Sequence, residues 1–363
     1  MKNQNILLFI FLVLFLMCSF LSCTKKDQSY TDKATVLYGR SDFKNNISLK
    51  SKELSKISDS LFLPLNTEII GDYLIILDNN GEHAIHVVNL IKEKYQGSFI
   101  KKGQGPNEIL VPWFISKITD STFLVYDAGS RKILGFHIDS LLRNKKLLFE
   151  KKFNQKDLLT SMKIIGENTY YTSYLNSSNR FFKKNLKSDK EQGYGTLLKN
   201  YRNASDVNFA QACIGNLDFE NGKIITSYRF APFFEIYNVE LKKWKSILTI
   251  DNFSPMFKEI ESEGEAVFSF SKKTKLGIVD IELSNQFIYL LYSGQNMFNS
   301  KHKMEVGKKI LVFDYNGNPI TIYDLDKELC SFEVYKDSII YGIHNDLKAE
   351  LVKFNIKNYT NLE

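Results

Sequence analysis

From residue 73 onward the chain alternates short apolar runs with polar turns, and the phrase returns about every fifty residues. One copy reads Tyr73-Leu74-Ile75-Ile76-Leu77-Asp78 followed by Ala84-Ile85-His86-Val87-Val88. The next reads Phe123-Leu124-Val125-Tyr126-Asp127 followed by Ile133-Leu134-Gly135-Phe136-His137. Later copies centre on Tyr170 to Tyr174, Ile224 to Tyr228, Ile288 to Tyr292 and Ile339 to Ile343. With Asp78, Asp127, Tyr174, Tyr228, Tyr292 and Ile343 as equivalents, the steps are 49, 47, 54, 64 and 51 residues. Runs of this length at this spacing are β-strands, and a four-stranded unit of roughly 40 to 50 residues is a propeller blade. The pattern predicts an all-β, six-bladed β-propeller with four-stranded blades.

The innermost strand of each blade is expected at Ser60 to Thr67, Trp113 to Thr119, Ser161 to Ile165, Ala212 to Leu217, Leu276 to Leu283 and Cys330 to Tyr335. Tight polar turns follow them, such as Thr119-Asp120-Ser121, Gly166-Glu167-Asn168, Glu220-Asn221-Gly222 and Lys336-Asp337-Ser338. Gly, Asn and Asp supply the required turn geometry at little steric cost. Strand alternation then collects the long segments on the opposite face: Gly103 to Val111, Lys187 to Phe209, Asp251 to Lys275 and Ser293 to Lys308. Irregular loops on a rigid scaffold are where binding usually resides. The sixth repeat runs out after a third strand, Leu351 to Ile356. Because a propeller must close to avoid a bare edge, a strand from Ala34 to Lys50 is expected to complete the last blade.

The first residues read as a targeting segment. Lys2 is a positive start, Ile6 to Met17 is almost wholly apolar, and Leu21-Ser22-Cys23 puts a small residue before a cysteine. The apolar run falls short of the ~20 residues a membrane span needs. Residues 1–22 resemble a bacterial lipoprotein signal, with Phe20 where Leu is usual. Residues 23–33 then form a lipidated Cys23 and a flexible tether, and residues 34–363 the propeller. Lipid chains would hold the body at a membrane surface without spanning it. Of the other cysteines, Cys18 leaves with the signal. Cys213 and Cys330 fall in non-adjacent blades, too far apart to bridge, and are expected as buried thiols.

The net charge of +7 is spread as lysine pairs among acidic residues. That is the pattern of a solvated surface and not of a nucleic-acid stripe. Gly103-Gln104-Gly105-Pro106-Asn107-Glu108 joins blades one and two. Its glycines admit positive φ, and Pro106 drives Gly105 to an extended shape. A phosphate loop needs a helix start behind it, and Ile109-Leu110-Val111-Pro112 does not begin one. Glu108 is therefore expected to fix the turn by accepting hydrogen bonds, with ligand contact by Lys102, Gln104, Asn107 or Glu108 as the alternative. This loop, with Pro112-Trp113, the Tyr126-Asp127 strand end and the lipoprotein-like signal, resembles the TolB-like six-bladed propeller lipoproteins of Gram-negative cell envelopes. The resemblance implies a fold and a cell-envelope setting and brings no catalytic residues; an outer-membrane location facing the periplasm is expected, with exposure at the cell surface left open.

Asp78, Asp127 and Asp314 end strands and are expected to cap turns. His83, His86, His137, His302 and His344 lack close ligand spacing, and no cofactor, catalytic residue or metal site is assigned. Calcium or magnesium on scattered loop carboxylates stays open. No Gly-x-Ser-x-Gly elbow or dinucleotide fingerprint is present. Tyr194, Tyr201, Tyr228, Arg229, Phe230 and Phe298 are expected near the elaborated face, where aromatics suit a carbohydrate or peptide. The sequence thus favours a non-enzymatic, lipid-anchored binding or scaffolding module. Its partner would be an envelope protein, glycan or peptide, bound through Lys102, Gln104, Asn107, Glu108, Arg131, Tyr228 and Arg229. The alternative is a carbohydrate-active lyase or hydrolase acting at the mouth of the central channel.

Overall fold

The computed structural model describes residues 36–153, 159–166, 169–174, 179–185, 187–188, 190–196, 214–253, 257–262, 265–299 and 305–356. Three short strands come first: β1 (Val36–Leu37), β2 (Asn45–Leu49) and β3 (Lys52–Glu53), followed by one turn of helix, α1 (Ser55–Ser58). Blade one is β4 (Pro64–Ile70), β5 (Tyr73–Asp78), β6 (His83–Asn89) and β7 (Lys94–Lys101). Blade two is β8 (Pro112–Thr119), β9 (Thr122–Asp127), β10 (Lys132–His137) and β11 (Leu147–Lys152), with helix α2 (Ile138–Asn144) before its outer strand. Blade three is β12 (Leu159–Gly166), β13 (Thr169–Tyr174), β14 (Asn179–Asn185) and β15 (Glu191–Thr196). Blade four is β16 (Ile214–Glu220), β17 (Lys223–Tyr228), β18 (Phe233–Asn238) and β19 (Lys243–Leu248). A hairpin, β20 (Phe257–Ser262) and β21 (Glu265–Phe270), precedes blade five, which is β22 (Ile278–Leu283), β23 (Phe287–Tyr292), β24 (Gly307–Asp314) and β25 (Pro319–Leu329). Blade six has β26 (Ser331–Tyr335), β27 (Ile339–Asn345) and β28 (Ala349–Asn355).

Each blade is an antiparallel meander, and the six inner strands meet in sequence until β26 touches β4. The second strands explain the apolar runs. Alternate side chains of β5 leave opposite faces of the sheet: Ile75 and Leu77 pack toward blade two, whereas Leu74 and Ile76 pack toward blade six. In β9, Phe123 and Val125 face blade one while Leu124 and Tyr126 face blade three. In β23, Ile288 and Leu290 face blade four while Tyr289 and Leu291 face blade six. A strand buried on both sides has no polar face and so reads as a continuous apolar run. Each such side chain contributes about 1.5–3 kcal/mol by its burial.

The blade three–four contact adds a buried ion pair. Arg180 of β14 reaches Glu235 of β18 at 2.8 Å, and Tyr228 and Ser246 also donate to that carboxylate at 2.7 and 2.8 Å. The Arg180 guanidinium lies 4.4 Å from the Trp244 ring centre. Burial raises the Glu235 carboxyl, with Arg180 and the two hydroxyls opposing it.

The ring closes through the amino-terminal segment. Lys52–Glu53 pairs antiparallel with β28 and is the fourth strand of blade six. That is two residues beyond the Ala34–Lys50 range expected from sequence. Within that range, β1 and β2 add to blades four and five as parallel fifth strands. Residues 36–53 thus form a belt over three consecutive blades. It is tied down by both carboxylate oxygens of Asp324 accepting from Arg40 at 3.2 Å, by Asp326 accepting from the Ser51 amide at 3.1 Å, and by Phe43 set edge-on against Phe313. A chain beginning at Leu54 should fail to give a folded monomer by size exclusion and near-ultraviolet circular dichroism, whereas one beginning at Ala34 should keep it. Equal stability of the two would show that closure does not need the belt.

Candidate binding face and central channel

Strands one and three of each blade run from the long-loop face to the short-turn face, and strands two and four return. The turn between β16 and β17 has φ of 51° at Asn221 and 69° at Gly222. Both positive values match the twist of a two-residue hairpin.

On the long-loop face, Asp78 and Asp127 are fully buried and cap the ends of equivalent strands. Asp78 accepts from the amides of Phe62, Leu63 and Asn80 at 2.8 to 2.9 Å, and His86 Nε2 lies 3.5 Å away. Burial would raise this carboxyl, but His86 and the three amides outweigh it and hold it below the usual range. Asp127 accepts from the amides of Leu110, Val111 and Gly129 at 2.9 to 3.0 Å and from the Ser130 hydroxyl at 2.5 Å. Asp314 is also a cap, accepting from the Asn316 and Asn318 amides at 2.8 Å. It ends a third strand, however, and so serves the opposite face. These carboxylates hold chain connections.

The Gly103–Glu108 loop is organised the same way. Glu108 Oε2 accepts from the Gly105 amide at 2.7 Å, and the Gly103 amide donates to the Ile109 carbonyl at 3.0 Å. A Cβ on Gly103 would lie 2.1 Å from Glu108 Oε2. A side chain there would push the carboxylate off the Gly105 amide. Lys102 donates its ammonium to the Asn79 carbonyl. Gln104 and Asn107 are exposed, Asn107 at a φ of 61°. Arg131 is exposed at the tip of the β9–β10 loop.

Two expected contacts are rearranged. Tyr228 is 3 % exposed and Phe230 equally buried, because Tyr228 turns inward to donate to Glu235 and Phe230 packs 4.6 Å from Phe270. Tyr194 stacks on Phe181 at 5.2 Å. Tyr194, Tyr228 and Phe230 therefore form no exposed platform, and among the described members of that set only Phe298 is more than half exposed. Arg229 sits 3.0 Å from Glu305. Tyr201, Cys213, His302 and Cys23, the residue expected to be lipidated, lie outside the described residues. Cys330 is a partly buried free thiol, pushed up to about 12 by burial.

The sequence points to a central channel but does not identify the side chains that line it. The channel cavity of about 80 Å³ is lined only by inner strands, including Asn66, Glu68, Ser161, Lys163, Asn216, Asp218, Asp280, Glu282 and Glu333. The signal was present: five of the six inner strands carry a polar residue and a charged one two positions later, as in Asn66/Glu68 and Asp280/Glu282. These side chains bond across blade boundaries. Asn66 accepts from the Ile115 amide at 3.2 Å, Thr67 meets Ser331 at 2.8 Å, and Glu333 accepts from the Ile69 amide at 3.2 Å. Lys163 pairs with Asp218 at 2.7 Å. Asp280 accepts from Asn216, from the Ser331 hydroxyl at 3.3 Å and from the Phe332 amide at 3.2 Å. No group of three or more His, Cys, Asp or Glu with metal-binding geometry occurs among the described residues.

The TolB-like 6-blade propeller family model matches residues 42–337. The chain belongs to this family. As a TolB-like propeller it is similar to a solved member of the duf4221 family from Bacteroides vulgatus. The two are 10 % identical over 82 % of this chain and 92 % of that one, with a TM-score of 0.53. It is also similar to a Bacteroides fragilis protein described as exported, 11 % identical over 86 % of this chain and 100 % of that one, with a TM-score of 0.50. At such identities the likeness shows the fold alone. Among curated proteins no sequence matches.

The channel of this TolB-like propeller is electrostatically loaded. Burial pushes Asp280 up to about 7 despite its hydrogen bonds. Burial and neighbouring carboxylates raise Glu282 and Glu333 well above the usual range. Burial works against the charge of Lys163, yet Asp218, Glu68 and Glu282 outweigh it and raise its pKa. A free aspartate titrates near pH 4, so between about pH 4 and 7 the folded chain keeps a proton on Asp280 that the unfolded chain releases. Unfolding free energy should then fall as pH rises through this window. The loss is at most roughly 4 kcal/mol. Asp78 acts in the opposite sense and below the window. Urea midpoints should be higher at pH 5 than at pH 8, and Asp280→Asn should flatten the difference; a midpoint that rises with pH would refute the assignment. In the loop, Glu108→Ala should lower stability by about 1–2 kcal/mol, read from the same midpoints, with Glu108→Gln losing less.

Proposed function

We propose that this TolB-like propeller is a non-catalytic binding or scaffolding module of the cell envelope. It is lipid-anchored through Cys23 at the outer membrane and engages an envelope protein, glycan or peptide through its long-loop face. The observation that carries the reading is the distribution of exposed apolar side chains. Of the nine large ones among the described residues, Phe62, Leu63, Trp113, Phe298 and Leu347 all lie on that face. Exposed aromatic and aliphatic groups gathered on one surface are the usual mark of an interaction site. Phe62 lies across Gly81, where a Cβ would approach its ring to 2.8 Å, and Asn345 near Leu347 donates to the Pro64 carbonyl at 3.0 Å. Leu347, Leu63 and Phe62 therefore come from the joined edges of blades six and one. Lys102, Gln104, Asn107 and Arg131 supply polar contacts beside them, while Glu108 and Tyr228 hold the scaffold.

Chemistry at the channel mouth is the weaker reading. The lining residues include no His, Tyr or Arg, and the carboxylates of Asp218, Asp280 and Glu333 are engaged in bonds between blades. The family and the likeness to a protein described as exported are consistent with an envelope setting.

Cross-linking in the native envelope followed by quantitative mass spectrometry should enrich one defined partner. That enrichment should be lost with Trp113→Ala and Leu347→Asp, and with Cys23→Ala through mislocalisation. The face variants should keep the unfolding midpoint of the parent chain. Retention of the partner by both face variants would reject this surface.

A further inference from the structure

The short-turn face carries a repeated device that the binding reading does not use. In blade one the β6–β7 turn is Asn89-Leu90-Ile91-Lys92-Glu93-Lys94, and in blade four the β18–β19 turn is Asn238-Val239-Glu240-Leu241-Lys242-Lys243. Both are built alike. The asparagine Oδ1 accepts from the amide three residues on, Lys92 or Leu241, at 2.8 Å. The next residue, Glu93 or Lys242, has positive φ. The amide after the asparagine is fixed on the neighbouring turn, Leu90 on Asp72 and Val239 on Gly222. Each turn therefore holds a rigid tip. At the two tips Ile91 is 66 % exposed and Leu241 61 % exposed, flanked by the exposed lysines 92, 94, 242 and 243.

In a six-bladed ring blades one and four stand opposite one another, so the tips lie across the diameter of the face. One groove or one peptide does not serve both, but a flat surface meets both at once. The charges fit an anionic one. In blade one Glu93 is engaged by Lys353, leaving Lys92 and Lys94. In blade three the corresponding turn, held by Asn185 accepting from the Lys187 amide at 2.8 Å, adds exposed Lys187 and Lys190. Acidic groups nearer the channel are matched by their own lysines, Asp120 by Lys117 at 2.6 Å and Asp72 by Lys336 at 3.5 Å. Glu240 is the opposing charge at the blade-four tip. Strand β1 runs parallel to β19, so from Val36 to Leu37 the chain heads away from the short-turn side.

We propose that the short-turn face docks on a membrane surface of anionic phospholipid headgroups. Ile91 and Leu241 dip into the interface, and the ring of lysines meets the phosphates. The long-loop face is then turned away from the bilayer, toward its partner. The inference rests on a membrane-tethered reading of the chain, and the test separates the two.

The test reconstitutes the full chain in vesicles of phosphatidylcholine alone or with phosphatidylglycerol, and follows flotation and backbone hydrogen exchange. On the anionic vesicles, residues 89–94 and 238–243 should exchange more slowly than on the neutral ones, with residues 103–108 and 345–349 unchanged. The triple variant Lys92→Glu, Lys242→Glu, Lys243→Glu should lose that protection while its unfolding midpoint stays put. Flotation on both vesicle types without protection of the two turns, or with protection of the long-loop face instead, overturns the docking face and leaves the tether standing. Flotation and turn protection on anionic vesicles alone uphold the face and remove the tether.

Discussion

Closure of the ring is the constraint on which the rest of the molecule depends. Every second strand buries both faces against neighbouring blades, so no blade has a finished surface of its own. Leu74 and Ile76 need blade six as much as Ile75 and Leu77 need blade two. An open array would leave one such face in water at each end, and apolar burial of about 25 cal/mol per Å² would be forfeited there. The inner strands add a second layer of closure, because Asn66, Thr67, Lys163, Asp280 and Glu333 of the channel wall bond to the neighbouring blade.

Much of this was legible in the chain because it follows from periodicity. The runs around Leu74–Leu77 and Leu124–Tyr126 carried the blade count. The Asn221–Gly222 pair marked its hairpin, and Asp78 and Asp127 were recognisable as caps from their place at equivalent strand ends. What stayed hidden depends on which partner a side chain meets. Tyr228 sits at a strand end where exposure was expected, yet Glu235, seven residues on, draws its hydroxyl inward. The belt was misplaced by two residues because a two-residue strand such as Lys52–Glu53 has too few positions to show alternation. The channel links were overlooked for another reason: the Asn/Ser-x-acid spacing is short and recurs among fifty-residue repeats whose dominant signal is apolar.

Surface function divides along the same axis. The long-loop face owes its character to connections of unequal length, which allow Phe62, Phe298 and Leu347 to be displayed without disturbing a strand. Glu108, whose alternative was ligand contact, and Asp127, an expected cap, both hold the backbone from which those groups are presented. A carboxylate that accepts two or more amide hydrogens is already engaged by the chain itself, and its neighbours are better placed for a visitor.

The belt also imposes an order of events in time. Its strands are the earliest part of the domain to be synthesised, yet they pair with blades four, five and six, across sequence separations of roughly 200 to 300 residues. The first segment made must therefore remain unpaired until the last blades exist. During that interval the belt strands have no partner, and β3 finds its own only once β28 has been made. Closure of this ring thus has to wait for the last blades, whatever the first three have already formed.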